Sequence, residues 1–324
     1  MSISQYIKKI GRGRKGSSDL SRDEARELFA LILADQVSDL ELGAFCLAMR
    51  IKGETAQELA GFYDALQVYL PKMSFTKPVL LLPSYNGARK THLMTPLLAR
   101  HMADKGFLVL VHGVHEELRR TSSAEVFERM SWPVVKNLHE FQNILETEKM
   151  VYCGLEILCP PLAKLLNIRQ VIGLRNSGHV LAKLINPVQS ESLQICNYTH
   201  PEYPDILRDF FELYPANVFC MRGHEGEPVS SPQRLPEIEF FDHRNDEGKE
   251  QKQSPKSSTK LAAYFSQDPF SYPESIDAIS TEILYRKLRS GEYPPLQTLV
   301  QLENLIQIAL THPESFHEAA FQTA

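Results

Sequence analysis

Apolar residues recur at helical spacing in three successive blocks near the start of the chain. They are Ala25, Leu28, Phe29 and Ile32; then Leu42, Phe45, Cys46 and Met49; then Leu59, Phe62, Leu66 and Tyr69. Each block follows a Ser or Thr with Glu three residues later: Ser21 with Glu24, Ser38 with Glu41, Thr55 with Glu58. That spacing is a capping box, in which the hydroxyl accepts from an orphan backbone N–H and the carboxylate reaches back to the cap. The pattern predicts three amphipathic helices with short links, the last closed by Pro71. Such a bundle must bury its stripes against another layer.

The periodicity then changes. Val79 to Leu82 is a short apolar run that leads into a turn-like Pro83-Ser84-Tyr85-Asn86-Gly87. A helical stretch from about His92 to Asp104 and an apolar run from Phe107 to His112 follow, giving a strand–helix–strand unit and hence a parallel sheet. Further strands are predicted at Met150–Cys153, Leu193–Tyr198, Asn217–Met221 and Glu237–Phe241, with a helix from Pro204 to Tyr214. Asp242 to Lys260 is polar and nearly free of apolar residues, so it reads as a long surface loop. The stretch from about Ser275 to Thr311 returns to helix. The fold class expected is α/β, a small all-α domain joined to a larger domain with a mainly parallel sheet.

Composition narrows the setting. Hydrophobic residues make up 43% and charged residues 23% of 324, an ordinary globular balance. No run of 18 apolar residues occurs, so no membrane span is expected, and Met1 to Lys15 lacks the apolar core of a secretory signal. The five cysteines are scattered and odd in number, which fits a reducing compartment and a cytoplasmic location. The net charge of −5 argues against a wholly basic nucleic-acid binder. Local potential matters more than the sum, however. Lys8, Lys9, Arg12, Arg14 and Lys15 face one anion, Asp19, within the first twenty residues; they form either a solvated tail or a cationic strap.

Three segments resemble a known family. Leu20-Ser21-Arg22-Asp23-Glu24-Ala25, Val37-Ser38-Asp39 and Ala48-Met49-Arg50-Ile51-Lys52-Gly53-Glu54-Thr55 look like the helical domain of anthranilate phosphoribosyltransferases, a domain shared with pyrimidine nucleoside phosphorylases. Arg175, followed by Leu184-Ile185-Asn186-Pro187, and Gly291-Glu292-Tyr293-Pro294 leading into Leu299–Asn304 are similar to later family blocks. The resemblance implies a helical domain over 1–73 completed by roughly 165–190, and an α/β domain over 76–164 and 191–324, with 242–260 a surface loop. It also implies a cleft between the two domains and a homodimer joined through the helical domains.

The family's diphosphate-binding residues are absent from the matching positions. A glycine-rich loop that brings backbone N–H groups against phosphate is replaced by Pro83-Ser84-Tyr85-Asn86-Gly87-Ala88-Arg89-Lys90, where proline supplies no N–H and tyrosine adds bulk. The next family block becomes Thr91-His92-Leu93-Met94-Thr95, and a Lys-His-Gly-Asn-Arg segment becomes Val111-His112-Gly113-Val114-His115. The adjacent acidic pair that holds magnesium is replaced around Gly226-Glu227-Pro228-Val229. Without two carboxylates side by side there is no evident way to neutralise a diphosphate leaving group. No catalytic residue, metal or cofactor is therefore expected, and no transferase activity.

Cations take the place of that chemistry. Arg89 and Lys90 stand in a turn before a helix, where free N–H groups and the helix dipole favour an anion, with His92 close behind. Arg119 and Arg120 follow the second strand, Lys183 and Arg175 fall in the family's helix pair, and Arg12, Arg14 and Lys15 lie among glycines ahead of the first capping box. The chain resembles a divergent, non-enzymatic branch of the family. That likeness implies sequence-independent binding of DNA or RNA through basic grooves. With roughly six to eight phosphate contacts, affinity falls by about three to five decades between low and moderately high salt.

Plainer readings stand beside these. Arg119 and Arg120 follow Glu116 and Glu117 and can form a solvated helix face. His112 and His115 lack nearby carboxylate or thiol partners, so a structural role fits better than a metal. Tyr85 either stacks on a base or packs on its neighbours. Arg175 either faces the cleft or joins a domain–domain ion pair. As alternatives in function, Arg89, Lys90 and His92 could hold the single phosphate of a phosphoribosylated or nucleoside-like substrate of a transferase, or the cleft could bind another protein through Asp242–Lys260.

Overall fold

A computed structural model describes residues 2–13, 15–116, 119–243, 258–267 and 275–312. In chain order the helical part is α1 (Ser4–Ile10), α2 (Arg22–Leu33), α3 (Asp39–Lys52) and α4 (Ala56–Leu66). The α/β part opens with β1 (Val79–Ser84), α5 (Thr95–Asp104), β2 (Leu108–Gly113), α6 (Ser123–Arg129), α7 (Leu138–Glu148) and β3 (Met150–Gly154). Four short helices return toward the bundle: α8 (Leu155–Leu158), α9 (Pro160–Asn167), α10 (Arg169–Ile172) and α11 (Gly178–Leu181). The sheet resumes with β4 (Ser192–Tyr198), α12 (Tyr203–Leu213), β5 (Val218–Arg222), β6 (Arg234–Leu235), β7 (Ile238–Phe241), β8 (Ser258–Leu261) and β9 (Tyr264–Phe265). It closes with α13 (Ala278–Ser290) and α14 (Gln297–Thr311).

All three predicted capping boxes form, with Ser21, Ser38 and Thr55 each accepting from the N–H of the Glu three residues on. The third is also a buried charge centre. Glu58 is fully covered and accepts from the N–H of Leu20 and from Lys52 Nζ, at 2.9 and 2.7 Å. α2 and α4 touch backbone to backbone at Gly61, where a Cβ would stand 2.2 Å from the Arg22 carbonyl oxygen. Phe29 stacks on Phe62 at 4.8 Å in the core of the bundle.

Residues 2–10 are not a solvated tail. Ile3, Tyr6 and Ile10 share one helical face and are buried, while Ser2 Oγ and the Ile3 N–H donate to Glu41 Oε1 at 2.7 and 3.0 Å. The α3 capping box thus also anchors α1. The apolar spacing of Ile3, Tyr6, Ile7 and Ile10 carries the helical signal, masked in a charge count by Lys8 and Lys9.

The larger sheet runs β3-β2-β1-β4-β5-β7-β8, parallel from β3 to β5 and antiparallel at β7 and β8. Side chains alternate across it: Leu81 and Leu110 face the core shared with the bundle, Leu80 and Leu82 the core under α5 and α14. The bundle is clamped to this layer by Arg22, which donates to both oxygens of Asp64 and to Tyr214 Oη beyond the end of α12. Tyr63 on α4 meets Phe210 edge-on at 5.5 Å.

Three local expectations change. β8 falls partly within the polar stretch 242–260 expected to be a loop; it pairs with β7 from Ser258 to Leu261, and residues 244–257 lie outside the described part. α5 begins at Thr95 rather than His92, because Pro96 has no N–H to bond to the His92 carbonyl and so falls in the first turn. The C-terminal helical stretch is two helices, parted at Gly291, which takes a left-handed φ of 78°, and at Pro294-Pro295.

Candidate functional site

From β1 the chain steps outward to β2 and β3, then returns to β4 and β5 on the other side. This reversal opens a crevice beyond the carboxyl ends of β1 and β4, the usual place for a ligand in such a sheet. β1 pairs with β4 only from Val79 to Leu81, so Pro83 lies past the ladder where no N–H is needed on that side. The loops after β1, β4 and β5 line the crevice.

The loop after β1 does form an amide cradle, and it is filled from within. Glu227 Oε1 accepts from the N–H groups of Asn86 and Gly87, each at 2.8 Å. Its Oε2 accepts from Thr95 Oγ1 at 2.8 Å and from Ser84 Oγ. Two residues earlier, Glu225 accepts from the N–H groups of Arg89, Lys90 and Thr91 at 2.9, 2.8 and 3.0 Å. The amides of one loop thus receive two side-chain carboxylates. Gly226 between them has φ 87°, and a Cβ there would fall 1.5 Å from Asn86 Nδ2, so only glycine lets the two glutamates enter together.

Three of the predicted cations brace this arrangement. Arg120 donates to the Gly87 carbonyl at 3.1 Å and lies 3.8 Å from Glu225. Arg175 donates to Asn86 Oδ1 at 2.5 Å, which places it in the cleft. Lys183 donates to Asn197 Oδ1 at 2.8 Å and to the Gly226 carbonyl at 3.3 Å. Burial, followed by the nearby Arg175, brings the Lys183 ammonium down to about 8. The residues present do not fit a magnesium ion between paired carboxylates. All four oxygens of Glu225 and Glu227 already accept hydrogen bonds, so ligation would strip the loop of its partners.

Behind the plug a cavity of about 340 Å³ lies between α3, α11 and the ends of β4 and α12. Arg50, Glu54, Arg175, His179, Lys183 and Asn197 contribute its polar wall. Glu54 accepts from Ser177 Oγ at 2.6 Å, and burial pushes its carboxyl up. Asn197 Nδ2 is buried without a partner.

The other predicted residues disperse. Ala88 and Thr121 exchange both backbone hydrogen bonds at 2.9 Å, which brings Arg89, Lys90, Arg119 and Arg120 to one rim. Arg89, Lys90 and Arg119 are exposed there, and none has an ion pair with a described residue. The anion expected at the amides of Arg89 and Lys90 is Glu225 of the chain itself. His92 is half-buried, its Nδ1 has no partner, and burial pushes its pKa down. Arg12 and Lys15 are exposed between α1 and α2, and Arg14 lies outside the described residues. Tyr85 is buried with its hydroxyl 2.8 Å from His112 Nδ1, so it packs rather than stacks on a ligand. Glu225, Glu227 and Asn86 form a unit whose one signal in the sequence is a glycine flanked by two glutamates. Among the described residues no group of three His, Cys, Asp or Glu could hold a metal, and no helix is long and apolar enough to cross a membrane.

The fold is that of an anthranilate phosphoribosyltransferase-like protein, and the chain belongs to that family. Residues 4–68 match the helical bundle domain of the glycosyl transferase family. Among its relatives is YbiB of Escherichia coli (strain K12), 42% identical over 248 residues, which span 75% of this chain and 77% of YbiB. The anthranilate phosphoribosyltransferase of Thermus thermophilus superposes with a TM-score of 0.71 at 19% identity, covering 94% of this chain and 90% of that one. The Saccharomyces cerevisiae enzyme in complex with PRPP and Mg gives 0.71 at 15% identity, over 99% and 92% of the two chains. At these identities the two structures establish the fold alone.

Proposed function

We propose that the protein binds nucleic acid without sequence preference and does not transfer phosphoribosyl groups. The observation that carries this reading is the filled cradle. Glu225 and Glu227 occupy the amides that a diphosphate would need, and they present negative charge to any phosphate approaching them. Displacing Glu227, which is buried, would leave its carboxylate without donors, at a cost of about 1.5–3 kcal/mol for each hydrogen bond to the charged group.

Meanwhile Arg89, Lys90 and Arg119 stand exposed at one rim without a carboxylate partner among the described residues. Unpaired surface cations of this kind neutralise successive phosphates and release condensed counterions, a mode that reads backbone rather than sequence. A homodimer joined through the helical domains belongs to the same proposal. On α3, Leu40, Leu47 and Ile51 lie along one face and are 84%, 46% and 53% exposed. A second copy pairing along α3 would cover that stripe.

A second reading is favoured by the cavity itself: its cationic wall of Arg50, Arg175 and Lys183 would suit a phosphoribosylated or nucleoside-like substrate of a transferase. Titration of oligonucleotides against salt, with thermal denaturation in phosphoribosyl diphosphate and magnesium, separates the two. The nucleic-acid reading expects a log–log salt slope beyond about −3 and no thermal shift. A slope near zero together with a shift of several degrees establishes the transferase reading instead.

A further inference from the structure

Exposed arginines that form no ion pair among the described residues are Arg12, Arg50, Arg89, Arg119, Arg222 and Arg234. The last four share one edge of the molecule. Arg119 follows β2, Arg89 follows β1 and Arg222 ends β5, so all three stand at the carboxyl ends of parallel strands. Arg234 on β6 joins them across an open groove of about 300 Å³, lined by Tyr198, Arg222, His224, Ser231, Arg234 and Glu237.

Direct contacts connect the two ends of this edge. The bridge between Ala88 and Thr121 sets Arg89 and Lys90 beside Arg119. Thr91 Oγ1 lies 2.8 Å from His224 Nε2, which ties the loop after β1 to the loop after β5, two residues from Arg222. Burial pushes the His224 pKa down, so this residue is a joint and not a further cation. Glu225 and Glu227 are turned onto loop amides, and Glu237 is engaged by Lys260 at 2.5 Å, so these acids leave the arginines free.

The strands run in the order β2-β1-β4-β5, which is three spacings of about 4.8 Å. The cations therefore span roughly 14 Å before Arg234 extends them. One strand of B-form DNA carries a phosphate about every 3.4 Å along its axis, so the edge faces about four of them. No small anion reaches both ends, whereas a polyanion does.

We infer that Arg119, Arg89, Lys90, Arg222 and Arg234 form one continuous track. A single nucleic-acid backbone lies along it, across the mouth of the crevice rather than inside it. Crossing the end of β4 carries that backbone over Tyr198, which lines both the groove and the larger cavity. The inference rests on the nucleic-acid reading above. It adds Arg222 and Arg234 as phosphate contacts and fixes the direction of the backbone, from the end of β2 to the end of β5.

The test uses the full-length protein and a labelled duplex of about 15 base pairs, followed by fluorescence anisotropy across a salt series. The salt slope counts the phosphates that one bound molecule neutralises, so it reports whether both ends of the track hold the same duplex. Arg222→Ala and Arg234→Ala should each reduce the slope by about one, and the two together by about two. Adding Lys90→Ala to that pair should remove about one more. Lys77→Ala removes an exposed lysine ahead of β1, at the opposite edge of the sheet, and should leave the slope unchanged.

Because Arg222 and Arg234 are exposed, their variants should unfold at the wild-type temperature. Wild-type slopes in Arg222→Ala and Arg234→Ala, beside a reduced slope in Lys90→Ala, overturn the track and leave nucleic acid at the rim alone. An equal reduction in Lys77→Ala means that net charge is read, and overturns the track as well. Absence of binding by the wild-type chain overturns the nucleic-acid reading with it.

Discussion

The amide of Gly87 donates to Glu227 Oε1 at 2.8 Å across 140 residues of sequence. Through that bond and the one from Asn86, the loop that would face a substrate is closed by the chain's own carboxylate. The arrangement has the polarity of an anion complex: backbone donors converge on negative charge, and cations stand outside it.

Glu227→Ala should therefore be costly, because two amides and two hydroxyls lose their acceptor in a buried place. A loss of about 3–5 kcal/mol is expected by thermal or denaturant unfolding. Millimolar inorganic phosphate should recover part of it in the variant and add nothing to the wild-type chain, since the vacated cradle has the donors for an anion. A loss below about 1 kcal/mol would mean the bonds do not hold the loop.

At the rim, Arg89→Ala and Lys90→Ala should each reduce the salt slope of oligonucleotide binding by about one, with similar losses on every sequence tried. Arg120→Ala tests a different role. Its guanidinium is committed to the Gly87 carbonyl and Glu225, so the variant should lower the unfolding temperature as well as affinity. Unfolding scans beside binding titrations distinguish the two classes.

Leu47→Glu combined with Ile51→Glu should convert a dimer to a monomer without unfolding it, since both side chains are already about half exposed. Sedimentation velocity reads the change in mass. Circular dichroism should remain that of the wild-type chain. Unchanged mass in the double variant would place the contact elsewhere.

Acid stability should depend on His112. Burial holds its imidazole neutral down to about 3, against 6.5 in an open chain. Between those values the unfolded chain carries a proton that the folded chain refuses, so stability falls as pH falls through the window, by up to about 1.4 kcal/mol per pH unit. His112→Asn keeps an acceptor for the Tyr85 hydroxyl at the Nδ1 position and has nothing to titrate. Denaturant midpoints taken from about pH 7 to 4 should fall less steeply in that variant.

Much of the architecture is legible in the sequence. The helices of the bundle announce themselves because caps and apolar spacing are local, and α2, α3 and α4 begin at the predicted residues. β1 to β5 are read from apolar runs for the same reason. The candidate site was legible only in part. Replacement of the glycine-rich loop by Pro83-Ser84-Tyr85 is plain, yet the new role of Glu225 and Glu227 is not, because their partners in that loop lie 134 to 143 residues away. Lys183 and Arg175 are loop braces rather than plain surface cations, and spacing in a chain does not say which way a long side chain turns.

What the sequence alone determined is the three capped helices, the order of β1 to β5, and the loss of the family's phosphate-binding residue types; these follow from propensities and periods that act over a few residues. Only the tertiary structure decided what became of the emptied place. Whether an amide meets water, a ligand or a carboxylate depends on which distant loop the folded sheet brings to its end. Here the reversal at β1 and β4 leaves room for Glu225-Gly226-Glu227 after β5, and the loop amides take these acceptors.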